Sequence, residues 1–141
     1  MYANFVQVYD RLAPGVYWGH FGTAHVLHKS NALLGAHLES ADSPVAGRVL
    51  SIVFAYEDGT AMTRNGGSYG TSGAANVRPG LFGFYEGSAP ILFKLMGKDS
   101  PARSYQLIMH GEPGGSTEFF DYLILIRGAT PTHPLNLLDD D

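Results

Sequence analysis

The residues Gly66-Gly67-Ser68-Tyr69-Gly70 carry the spacing G-x-S-x-G. In hydrolases that spacing lets a strand deliver serine to a strained turn, and the helix that follows donates an oxyanion-hole amide. Here Thr71 to Arg78 contains Gly73 and runs into Pro79, which leaves no room for such a helix. With 18 glycines in the chain the spacing arises readily. Ser68 therefore reads as part of a small-residue loop over Asn65–Asn76, and a small serine hydrolase ranks third among the functional readings.

His20, His25 and His28 lie close together, with His37 soon after. On one regular strand His20 and His28 share a face and His25 takes the other, whereas metal ligands must converge on one point. A glycine bulge at Gly22 is what would bring them together. No metal is expected, and these three histidines are the candidates if one binds; nothing in the spacing draws Asp10 or Glu39 to them. Glu57 and Asp58 read as turn residues, and Glu118 and Asp121 fall on opposite faces of a strand, so no acid–base pair forms. Gly67, Gly70 and Gly73 lack a following Lys-Ser/Thr, which rejects a phosphate loop. The chain has 0 cysteines, which excludes disulfides, zinc–thiolate and iron–sulfur sites and cysteine nucleophiles. No cofactor and no catalytic residue are expected.

The aromatic residues, 12% of the chain, carry more information. Stretches such as Leu81–Tyr85 and Glu118–Tyr122 place rings on both faces of a strand, yet a two-layer sandwich buries only one. The surplus belongs at an interface. Tyr122, Ile124 and Ile126 are expected to contribute to it. So are Leu135, Leu137 and Leu138, which have no reason to sit on a free tail. For a sugar ligand the stacking candidates are Trp18, Tyr69 and Tyr85.

Charge narrows the partners. Nine Lys+Arg against 13 Asp+Glu give a net −4, and the cations are scattered singly. Neither nucleic acid nor an anionic membrane surface is expected to bind directly. The N-terminus has no basic segment followed by a continuous apolar one, and the longest apolar run, Tyr122–Ile126, is far too short to span a bilayer. The expectation is a chain made in the cytoplasm.

The elements that must position these residues read as strands. A length of 141 residues suits one domain with one core. Asn4–Tyr9 alternates; Val16–His28 is rich in β-branched and aromatic residues; Asn31–Glu39 leans to strand over helix because Gly35 weakens a helix. Arg48–Tyr56 is a strongly apolar strand, and Asp58-Gly59 suggests a hairpin into Thr60–Arg64. Val49, Ile52, Phe54 or their face-mates should fill the core. Further strands are read at Leu81–Tyr85, Ile91–Met96, Ser104–His110 and Glu118–Arg127. The expected fold is all-β: an antiparallel sandwich or jelly roll of about eight strands over residues 1–128, with a proline-stiffened C-terminal arm over 129–141.

The favoured function is non-enzymatic: a homo-oligomeric structural protein that joins a larger protein assembly. A virion component, capsid-decorating or tail-associated, suits a small cysteine-free, glycine-rich domain of this kind. A carbohydrate-binding, lectin-like module is the alternative.

Overall fold

The computed structural model describes residues 1–29, 33–65, 68–77, 80–97, 100, 106 and 113–131. The described residues hold two α-helices, α1 (Tyr2–Tyr9) and α2 (Leu34–Glu39), and five strands. The strands are β1 (Ile52–Tyr56), β2 (Thr60–Asn65), β3 (Ser68–Gly73), β4 (Ile91–Lys94) and β5 (Tyr122–Ile126). They form one sheet in the order β1-β5-β4 and a separate β2–β3 hairpin. This overturns the expected eight-strand sandwich: the described residues build two small sheets and helices.

Each departure has a local cause. Asn4–Tyr9 lies in a helix, because Tyr2, Phe5 and Tyr9 are also spaced for one helical face. Tyr2 stacks on His37 at 5.2 Å, Phe5 meets Tyr9 at 5.5 Å, and Arg48 donates to the Tyr9 hydroxyl at 3.2 Å. Val16–His28 forms no strand; its one regular stretch is a 3₁₀ turn at Thr23–Val26. Leu34–Glu39 is helical despite Gly35, because the helix lies directly on that turn. A Cβ at Gly35 would stand 2.7 Å from the Leu27 carbonyl oxygen. The glycine permits contact between two backbones, which outweighs its weak helix propensity.

The expected hairpin at Asp58-Gly59 is absent. β1 pairs with β5 and β2 with β3, so the chain leaves the main sheet at this point. Gly59, at φ +119°, meets Ala129, and Thr60 N–H donates to the Ala129 carbonyl at 2.7 Å. A Cβ at Gly59 would lie 2.5 Å from the Ala129 nitrogen. The loop expected over Asn65–Asn76 instead contributes β3. Leu81–Tyr85 is a pair of tight turns, with Gly83 N–H donating to Gly80 and Tyr85 N–H to Phe82. Glu118 ends a 3₁₀ turn, Ser116–Glu118, so the last strand is shorter than expected. Ser104–His110 lies outside the described residues except for Gln106, and the arm over 129–141 is described only to Pro131.

In the main sheet β1 runs parallel to β5 and β4 antiparallel to it. Val53, Ala55, Leu123 and Leu125 point inward and are buried with Leu27, Val77, Phe82, Leu95, Phe119 and Phe120. Inward burial falls on Val53 and Ala55, whereas Ile52 and Phe54, expected in the core, are half-buried on the opposite, outer face, because the strand's alternation turns the odd-numbered residues inward. Among the described residues no helix is long and apolar enough to cross a membrane.

Candidate functional site

The outer face of the sheet follows from strand register. Ile52 lies opposite Tyr122, which lies opposite Lys94. Phe54, Ile124 and Leu92 form the next row, and Tyr56 and Ile126 the third. A sheet with its core on one face ordinarily carries polar residues on the other. Here Lys94 is the single charged side chain in these rows, and Leu92 is 56% exposed. Tyr122, Ile124 and Ile126, expected at an interface, stand together on this face and are half-buried. Leu135, Leu137 and Leu138 lie outside the described residues.

The segment from Tyr17 to His28 passes along β1 and encloses a hollow of about 340 Å³ with it. Trp18, His20, His25, His28, Ile52 and Phe54 are among its walls. Trp18 is 71% exposed at its mouth, and His20 meets the Phe54 ring edge-on at 6.1 Å. Leu50, 64% exposed, borders this hollow and a neighbouring one of about 710 Å³ beneath α1.

The three candidate histidines therefore share one hollow but have different neighbours. His28 Nε2 is buried without a hydrogen bond, 3.4 Å from Asp121 Oδ2. Among the described residues no three His, Asp or Glu side chains gather to hold a metal ion. The sugar-stacking candidates are not gathered either. Trp18 is at the hollow, while Tyr85 lies under the Arg127 guanidinium, 5.4 Å from its centroid, and donates to the Ala89 carbonyl at 2.8 Å. Tyr69 is on β3 opposite Arg64. Ser68 opens β3 opposite Asn65, inside a hairpin rather than on a strand-to-helix turn.

Three arrangements that hold this surface were not singled out from sequence. Asp121 is buried and accepts the Ser51 N–H at 2.8 Å, while Ser51 Oγ donates to the Val26 carbonyl at 2.7 Å. Together these join the segment before α2 to β1 and β5. An acid inside the run Phe119-Phe120-Asp121-Tyr122 was the available signal, since a buried charge must be partnered. Arg127 binds the carbonyls of Phe82 (2.9 Å), Gly87 (3.1 Å) and Tyr85, and pairs with Glu57. Asn76 hydrogen-bonds along the outer edge of β1. At the rim, Lys29 Nζ stands 2.9 Å from Glu118 Oε2; this ammonium, with the Gly115 amide, holds the Glu118 carboxyl below its ordinary range.

No family model, no curated protein and no solved structure matches the chain.

Proposed function

We propose that this chain is a non-enzymatic assembly protein that self-associates and joins a larger protein structure through the outer face of its main sheet. The observation that carries the reading is the row Phe54, Ile124, Leu92: three apolar residues side by side across the sheet, ending in a leucine open to solvent. Exposed apolar surface marks sites of association in soluble proteins, and here it is Leu92, with Phe54 and Ile124 half-buried beside it. Trp18 and Leu50 extend that surface beyond the β1 edge. Its scarcity of cations favours protein over nucleic acid or anionic lipid as the partner. A virion component is the narrower form of this proposal and rests on composition alone.

Native mass of the purified full chain over a concentration series tests it. Multiples of 15.2 kDa are expected. A single-chain mass at every concentration would overturn self-association.

A carbohydrate-binding module is the second reading, favoured by the exposed Trp18 ring beside a hollow of about 340 Å³. Sugar-dependent quenching of tryptophan fluorescence, lost in Trp18→Ala, would support it over assembly.

A further inference from the structure

We propose that Val16, Tyr17 and Trp18 form the contact of a two-fold dimer, the ridge of each copy entering the hollows of the other. This rests on the assembly reading and places the contact between copies on its Trp18–Leu50 side. Residues 10–22 are all exposed. Within them Val16 is fully exposed, and Tyr17 and Trp18 are each more than half exposed. Single apolar residues on a surface are ordinary. Three in a row at these exposures mark a surface with a use. The ridge is held in shape by its own chain: the Tyr17 hydroxyl donates to the Ala13 carbonyl, which closes the backbone around Pro14-Gly15 and leaves Val16 standing clear.

The ridge stands beside places that fit it. Tyr17 and Leu50 border both hollows, the one of about 340 Å³ that Trp18 and Phe21 also line and the one of about 710 Å³ that Leu12 and Val16 also line. A surface carrying a ridge next to a hollow is self-complementary, and a two-fold contact uses the same patch on both copies. Charge agrees with a second copy. Among the described residues the smaller hollow has no Asp, Glu, Lys or Arg in its walls, so nothing there repels its own image across an axis. The larger has one acid and one base, Asp10 and Arg48, so the two-fold sets Asp10 of one copy towards Arg48 of the other. Area agrees as well. Aromatic side chains bury roughly 150–250 Å² each. Tyr17, Trp18 and Phe21, with Leu12, Val16 and Leu50, thus offer several hundred Å², comparable with the ~800 Å² per partner of a standard interface. Such a contact closes on itself and gives a dimer rather than a fibre.

Size-exclusion chromatography with light scattering on the full chain, over a concentration series, tests this. Val16→Glu puts a charge on each ridge inside an apolar contact. Because Val16 is fully exposed, the change removes no packing from the fold, and an unchanged circular dichroism spectrum checks that. Leu92→Glu places the same charge on the exposed leucine of the sheet's outer face. The wild type and Leu92→Glu are expected at twice the chain mass, and Val16→Glu at the single-chain mass. Val16→Glu at the wild-type mass would overturn the ridge contact and leave the assembly reading standing. A wild type at the single-chain mass throughout would overturn both. Exposed Asp10 gives a second readout. Asp10→Arg sets like charges across the pair and should raise the dimer dissociation constant several-fold, whereas Asp10→Glu should leave it unchanged. An equal rise in both would overturn this pairing of the copies.

Discussion

Ser51 and Asp121 bond to each other in both directions: the Ser51 amide donates to Asp121 Oδ2 at 2.8 Å, and the Asp121 amide donates to the Ser51 carbonyl at 3.0 Å. The pair lies immediately before β1 and β5 and fixes the start of their parallel register. Asp121→Ala leaves a buried N–H without an acceptor, at a cost of about 1–3 kcal/mol. Asp121→Asn keeps a side-chain oxygen and should lose less. Urea unfolding of the two variants measures the difference; equal losses would show that the bond to Ser51 is not what Asp121 supplies.

Gly35→Ala should destabilise the protein although alanine is the better helix former. The gain in propensity is about 1 kcal/mol. The new Cβ would meet the Leu27 carbonyl oxygen at 2.7 Å and the Val26 carbonyl carbon at 2.8 Å, both backbone atoms. Overpacking of this kind costs about 1–3 kcal/mol before that gain is subtracted. A raised melting temperature would contradict the close approach of α2 to the 3₁₀ turn.

Arg127→Ala should cost about 3–5 kcal/mol, because it strands the largely buried Glu57 carboxylate. Lysine at 127 restores the charge but not the planar fork that reaches the Phe82 and Gly87 carbonyls together. Arg127→Lys is therefore expected between Ala and wild type in thermal unfolding. Full recovery would mean that charge alone suffices.

Acid should weaken the protein through Glu118. Its carboxyl is held below the ordinary 4.5 by Lys29 and the Gly115 amide, so it binds protons less readily folded than unfolded. The stability it contributes is present above pH 4.5 and is lost as pH falls through the lowered value. Glu118→Gln should flatten that part of the stability–pH curve. An unchanged slope would remove Glu118 from the account.

The strands at Ile52–Tyr56, Ile91–Lys94 and Tyr122–Ile126 were legible as apolar runs. Their arrangement was not. β1 and β5 are far apart in sequence, and a parallel pair leaves no turn signal between its strands. Alternation in Arg48–Tyr56 marked two faces without saying which was inner, and Phe54 and Val53 took the opposite places. Gly35 weakens a helix on propensity alone, and its neighbour, the backbone of Leu27, which makes glycine necessary there, cannot be seen in sequence. Tyr122, Ile124 and Ile126 could be grouped because both faces of β5 are apolar, and the structure puts all three on the outer one.

Trp18 is the chain's 1 tryptophan and stands 71% exposed beside the β1 edge. Its acrylamide quenching, followed with native mass over a concentration series, tests most directly whether assembly covers this surface. The account predicts that quenching falls and emission moves to shorter wavelength over the range in which the mass doubles. A Trp18 that stays fully quenchable while the mass rises would contradict it, because the copies would then be meeting elsewhere.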